Sequence, residues 1–188
     1  NTKLPKYINE FIEKHKIIIS ANASNTNIYK GKDLYGIDMS IEICKKLSKK
    51  YDIGLIFALS RITDYEYYKS LKENLDKLNL KNNFLFVDEG LDFIPILNKS
   101  DIFIRPTYSD SYGISIAEAI YLNVPSIASD VCKRPEGTIL FKNRDTDELY
   151  HKVDKIINNY HYFKEKIQKI SNDENYKNII KIYEFIQK

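Results

Sequence analysis

The sequence predicts an α/β fold: a Rossmann-like, doubly wound parallel sheet with helices on both faces. Two observations predict it. Short runs of continuous apolar residues recur along the chain, and most are followed by a stretch whose apolar residues repeat at helical spacing. Continuous rather than alternating apolar runs mark strands buried on both faces, as in a parallel sheet between helix layers. Repetition of strand and helix then gives the doubly wound order. A third observation sets the scale, because 188 residues suffice for one domain with a sizeable core and hardly for two.

The elements follow in order. Residues 2–14, with Ile8, Phe11 and Ile12, read as a lead-in helix. Residues 16–20 form a first buried strand, and Ile37, Ile41, Cys44 and Leu47 recur at helical spacing behind a polar loop at 22–35. Residues 53–58 form a second strand, followed by a helix bearing Tyr68, Leu71, Leu75 and Leu78 on one face. Residues 84–87 form a third, before a short helix at 91–97. Residues 101–105 and 126–129 form a fourth and a fifth, flanking a helix from about 114 to 122, and 138–141 adds an edge strand. The Rossmann-like core thus covers about 16–145. A helical part at about 146–188 carries Leu149, Val153 and Ile156, then Ile179, Ile182 and Ile186.

Composition narrows the function. A net charge of +3, with lysines and acids alternating along the helices, argues against nucleic acid as a partner. Cys44 and Cys132 stand far apart without metal-ligand spacing, which suits a reduced, cytoplasmic protein with no structural metal. No apolar run reaches the length of a membrane span. The sequence opens on Asn1, and a partner domain upstream is expected.

In such a fold ligands bind where loops leave the carboxyl ends of strands and helix N-termini point outward. The most informative stretch follows the fourth strand: Arg105-Pro-Thr-Tyr-Ser-Asp110-Ser-Tyr-Gly113-Ile-Ser-Ile-Ala-Glu118. Gly113 allows close backbone approach to a diphosphate just before a helix. Asp110, in the loop, is placed to accept hydroxyls of a sugar. Glu118, just over one turn into the helix, is placed to take both hydroxyls of a ribose in a fork. Spacing alone leaves equal room for a helix-capping Asp110 and a solvated Glu118.

The stretch resembles the E-x7-E segment of retaining GT-B glycosyltransferases, above all family 4, whose pattern runs P-S-x-x-E-G-F-G-L-x-x-x-E-A-M. Asp110 and Glu118 keep the seven-residue separation, and Ser111-Tyr112-Gly113 stands where Gly-Phe-Gly is usual. Downstream, Asn123-Val-Pro-Ser-Ile-Ala-Ser-Asp130 matches G-x-P-V-I-A-S-D, and Arg134-Pro-Glu-Gly137 resembles a later P-E loop. The resemblance implies the C-terminal, donor-binding half of a GT-B fold. It implies that Glu118 holds the donor ribose, Asp110 the transferred sugar, and the backbone around Ser111, Tyr112, Gly113 and Ile114 the phosphates. The nucleotide sugar, UDP- or GDP-linked, would be a substrate, with no cofactor and no metal. The other partners implied are a glycan or lipid-linked acceptor and an N-terminal GT-B domain. The setting implied is polysaccharide or envelope glycan synthesis, with the full-length protein peripheral to the inner face of the membrane.

Three departures qualify this pattern. Asp110 is one methylene shorter than the usual Glu, and Ser111 replaces a Gly. Ala21-Asn22 replaces the Gly-Arg that follows the first strand, so that phosphate-binding Arg is absent. The family's Lys-Gly pair aligns either with Lys30-Gly31 or, better for the backbone, with Tyr35-Gly36. Lys30, Lys32, Arg61 and Arg105 remain the candidate cations, with Arg105 alternatively bracing its loop through Asp110 or a carbonyl. Asp145-Thr-Asp147 reads as a helix start rather than a metal motif. His15, His151 and His161 lack companions at catalytic spacing. A non-catalytic scaffold domain and a GT-B sugar-nucleotide epimerase stay open as alternatives.

Overall fold

The computed structural model of the protein describes residues 3–171. In chain order the elements are α1 (Lys6–Glu13), β1 (Ile17–Ala23), β2 (Ile28–Tyr29), β3 (Lys32–Asp33), α2 (Ile37–Leu47), β4 (Ile53–Leu59) and α3 (Tyr65–Lys77). They continue with β5 (Phe84–Val87), α4 (Ile94–Leu97), β6 (Ile102–Arg105), α5 (Ile114–Tyr121), β7 (Ser126–Ser129), β8 (Ile139–Phe141), α6 (Thr146–Asn158) and α7 (Tyr160–Ser171). The stretch with Ile179, Ile182 and Ile186 lies outside the described residues.

Six strands form one sheet in the order β5-β4-β1-β6-β7-β8, and every pairing is parallel. The doubly wound α/β fold expected from the apolar runs is the fold observed. Alternate strand residues enter opposite layers. Ile19, Leu55, Phe57 and Ile104 pack toward α2, α3 and α6, through Leu47, Leu71 and Val153. Phe103 and Ala128 pack toward α5 and α7, and Ile18 and Ile56 toward α1 and α4. Both faces of the sheet are therefore dry, the condition that made its strands read as unbroken apolar runs.

Two regions differ from the expectation. Strand β1 runs three residues beyond Ser20, to Ala23, because it pairs with β4 along its whole length, from Ile17 opposite Ile53 to Ala23 opposite Leu59. The segment read as a polar loop carries a small antiparallel hairpin, with Tyr29 opposite Lys32. Its two-residue turn, Lys30-Gly31, has φ of 49° and 71°, the primed geometry that matches strand twist. His15 joins α1 to the sheet, its Nδ1 lying 3.0 Å from Asp52 Oδ1 and its Nε2 2.8 Å from the Asn82 carbonyl.

Gly36 starts α2 in the left-handed region, with φ of 70°. A Cβ there would stand 2.2 Å from the Pro106 carbonyl oxygen and 2.8 Å from Pro106 Cγ. The hairpin and the start of α2 thereby lie flat on the end of β6, and Tyr108 N–H donates to the Leu34 carbonyl at 2.8 Å. Gly36→Ala is expected to lower stability by at least about 2 kcal/mol, through strain and a clash no flexible group can relieve. A fall in the urea unfolding midpoint with an unchanged slope is the measurement.

Candidate functional site

From β1 the chain moves outward through β4 to β5, then returns to lay β6 on the other side of β1. The strand order reverses there, and the loops diverge into a crevice at the carboxyl ends of β1 and β6. Four connections meet around it: 24–36 after β1, 60–64 after β4, 106–113 after β6 and 130–138 after β7.

The centre of the site is a charged cluster. Asp110 Oδ2 accepts from Arg105 Nε at 2.8 Å, from Arg134 Nη1 at 2.8 Å and from the Thr107 hydroxyl at 3.3 Å. Its Oδ1 accepts from Ser111 N–H at 2.9 Å, leaving one lone pair on that oxygen. The Asp110 side chain is 12% exposed and that of Arg134 only 2%. Arg134 also donates through Nε to the Ser129 carbonyl and through Nη2 to the hydroxyls of Thr107 and Ser129. Arg105 reaches across the sheet to Asn22 Oδ1 at 3.0 Å and to Ser115 Oγ at 3.3 Å. Burial alone would raise the Asp110 carboxyl, but hydrogen bonds and charge from Arg105 and Arg134 outweigh it and hold the pKa at about 2.

Of the helix N-termini at this end of the sheet, that of α2, after the loop from β1, and that of α5, after β6, differ. Asp33 closes the first. Its buried carboxylate accepts from Tyr35, Gly36, Ile37 and Asp38 N–H at 2.9, 3.0, 2.9 and 3.3 Å. The Tyr67 hydroxyl adds a fifth donor at 2.6 Å. Burial pushes the Asp33 pKa up, opposed by the Tyr67 hydroxyl and the backbone donors. Asp38, beside it, pairs with both terminal nitrogens of Arg144. The second N-terminus, that of α5, has no side-chain cap. Gly113 precedes it with φ of 88°, and a Cβ there would lie 2.6 Å from Ile116 Cδ1 and 3.0 Å from Arg134 Nη1. The open N–H groups of this turn and its dipole favour an anion.

Glu118 is the fifth residue of α5, half-buried, and its side chain makes no hydrogen bond or ion pair among the described residues. Burial raises its pKa, the Asp92 carboxylate adds to the rise, and Arg105 opposes it. Glu118 is thus an unengaged carboxylate between the β5–α4 loop and the charged cluster.

The structure brings together part of the predicted set. Arg105, Asp110, Gly113, Ile114 and Glu118 converge at the β6–α5 junction, with Ser111, Tyr112 and Ile114 exposed on its rim. Lys30 and Lys32 stand on the hairpin, Lys30 lying over the Tyr29 ring at 5.3 Å. Arg61 is exposed after β4, and no hydrogen bond or ion pair links these three to the cluster among the described residues. Arg105 makes the bracing bond to Asp110 through Nε. Asp145 accepts from Glu148 N–H at 2.8 Å, and Asp147 pairs with Lys46, the helix start expected for that motif. Sequence reasoning missed the parts played by Arg134, Thr107, Ser129, Asn22 and Asp33. For Asp33 a signal existed, an aspartate three residues before a glycine that opens a helix.

A doubly wound domain with its crevice at the switch point, an open helix N-terminus and a free carboxylate is the class this geometry defines. The chain belongs to the glycosyl transferases group 1 family, whose profile matches residues 10–183. It is 28% identical over 139 residues to the uncharacterized glycosyltransferase MJ1059 of Methanocaldococcus jannaschii, covering 73% of this chain and 33% of that protein. This chain therefore spans about a third of the length of that curated relative. Among solved structures, a Rickettsia africae glycosyltransferase is similar with TM-score 0.73 and 19% identity, covering 100% of this chain and 53% of that one. Anabaena Alr3699/HepE, solved with UDP and glucose, gives TM-score 0.72 and 14% identity over 90% and 48%. The C-terminal domain of the Francisella tularensis group 1 protein LpcC gives 0.68 and 19% over 88% and 88%. These likenesses match the sheet to GT-B glycosyltransferase structures, as the sequence motifs implied.

A depressed pKa fixes a sign for acid stability. Asp110 falls from its ordinary 3.8 to about 2, so its contribution is full above 3.8 and is lost as pH drops through 2. The integrated difference is about 2 kcal/mol. Denaturation of wild type and Asp110→Asn across pH 7 to 2 should show a gap that narrows by about that amount below pH 5.

Proposed function

We propose that this chain is the donor-binding half of a retaining glycosyltransferase, taking a nucleotide sugar into the crevice between β1 and β6. The observation that carries the reading is Glu118, a carboxylate with no protein partner among the described residues, beside the uncapped N-terminus of α5. A carboxylate so placed takes the two hydroxyls of a ribose in a fork. The first turn of α5 takes the diphosphate. The distance between the two, one helical turn, is that between a ribose and its own phosphates. The structural likeness to a protein solved with UDP and glucose supports the same direction of reading.

The chemistry follows from charge. As the bond between the anomeric carbon and the diphosphate breaks, negative charge grows on the leaving phosphate. Fixed N–H groups and the surplus positive charge of the arginine cluster stabilise that charge without reorganising. Asp110 takes one hydroxyl of the transferred sugar on the remaining lone pair of Oδ1, while Oδ2 holds the arginines. Retention at the anomeric carbon, with the departing phosphate receiving the acceptor's proton, accounts for a site built around a leaving group. The acceptor, a glycan or lipid-linked sugar, enters against an N-terminal half, so this chain alone binds donor and transfers little. The full-length enzyme acts in polysaccharide or envelope glycan synthesis, in the cytoplasm or on the inner membrane face. No helix among the described residues is long and apolar enough to cross a membrane.

Calorimetric titration with UDP, GDP and ADP and their sugar conjugates tests the reading. One series is expected to bind, and Glu118→Gln should weaken it about 10- to 100-fold by removing charge from the ribose contact. Binding by none of them would overturn the proposal. Donor binding without turnover by the full-length protein would leave the non-catalytic scaffold as the function.

A further inference from the structure

Asn22 stands where the pattern this chain resembles places an arginine after the first strand, so β1 itself brings no cation to the crevice. Strands β1 and β6 are neighbours in parallel register, Ile19 opposite Ile102 and Ser20 opposite Phe103. Continuing the register by two residues sets Asn22 opposite Arg105. The contacts agree, since Arg105 Nη1 donates to Asn22 Oδ1 at 3.0 Å. We propose that the diphosphate-binding cation has moved across the sheet, from β1 to β6, and that Arg105, steered by Asn22, is the residue that binds it. The proposal rests on the donor-binding reading above.

Three observations carry it. Two guanidinium groups share the single carboxylate of Asp110, so the hydrogen-bonded cluster carries one more positive than negative charge. Arg134 cannot present that charge to a ligand: Nε, Nη1 and Nη2 all donate within the protein, and its side chain is 2% exposed. Arg105 can. Its Nε and Nη1 are engaged by Asp110, Asn22 and Ser115, while Nη2 makes no hydrogen bond among the described residues. A guanidinium held at two nitrogens and open at the third is preorganised for an oxyanion, and it loses little side-chain freedom on binding.

The rest of the crevice points the same way. The N-terminus of α2 is filled by the Asp33 carboxylate, whereas Arg105 lies against Ser115 in the first turn of the uncapped α5. The bond from Asn22 ties Arg105 to the end of β1, the strand beside it at the switch point. Asn22 is then not a lost cation but the acceptor that positions its replacement.

The test compares a nucleoside diphosphate with its nucleoside: UDP against uridine, or GDP against guanosine or ADP against adenosine, according to the preference found by titration. Arg105→Gln should weaken diphosphate binding about 30-fold and nucleoside binding less than about threefold. Glu118→Gln should weaken both. A second variant moves the charge back: Asn22→Arg with Arg105→Asn should recover diphosphate affinity to within about fivefold of wild type. That double variant also decides the matter if Arg105→Gln alone does not fold. Unchanged diphosphate affinity in folded Arg105→Gln, equal loss for nucleoside and diphosphate, or a folded double variant without diphosphate binding would each overturn the proposal. The donor-binding reading survives those outcomes. Only a wild-type protein that binds no nucleotide removes both.

Discussion

The carboxylate of Asp110 holds together groups from its own stretch of chain and from the loop after β7. Arg105 comes from the end of β6, Arg134 from the loop after β7, and Thr107 from the connection that Asp110 itself belongs to. Remove that charge and two arginines remain, one of them almost wholly buried, beside the start of α5. Leaving a buried charge unpaired commonly costs about 3–5 kcal/mol, more than any single apolar contact nearby supplies. The 106–113 loop is therefore held by this charged cluster as well as by the packing of Pro106 on Gly36, while Ser111, Tyr112 and the following Ile114 stay exposed.

The N-termini of α2 and α5 show how one fold separates structure from binding. At α2 the protein supplies its own anion, and the N–H groups are satisfied before any ligand arrives. At α5 it supplies none, and a glycine in the left-handed region brings the backbone to the crevice without a side chain in the way. A helix start that is satisfied internally contributes to stability. One left open contributes to affinity, and its unmet N–H groups face water until a ligand comes.

The fold was legible because its signals are local. Ile53 to Leu59 is buried at every position, and such a run reads as a central parallel strand without knowledge of its partners. Spacing alone left Glu118 equally open to a solvated helix face, but the positions of Glu118 and Gly113 on and before a helix start were legible. Arg134 was not: its role depends on Asp110, which stands 24 residues away and reaches it only once β6 and β7 pair. Asn22 was legible as a departure but not as a partner of Arg105, a contact spanning 83 residues. The hairpin at β2 and β3 was missed for a different reason. With two residues in each strand and an exposed Ile28 and Tyr29, it offers no apolar alternation to detect.

That hairpin bears on how the loop can change in length. From Tyr35 to Asp38 every backbone N–H is held by the Asp33 carboxylate, and Gly36 lies tight on Pro106, so an insertion there would pull the helix start off its anchor. At the other end Thr26 is tied to Thr63 and Asp64 through its hydroxyl. Between these fixed points the turn at Lys30 and Gly31 stands clear, with no atom within 4 Å of where a Gly31 side chain would begin. Extra residues can enter at that tip at little thermodynamic penalty, since loop closure grows only slowly with length. The crevice thus has a rim whose reach can be lengthened or trimmed without disturbing its floor.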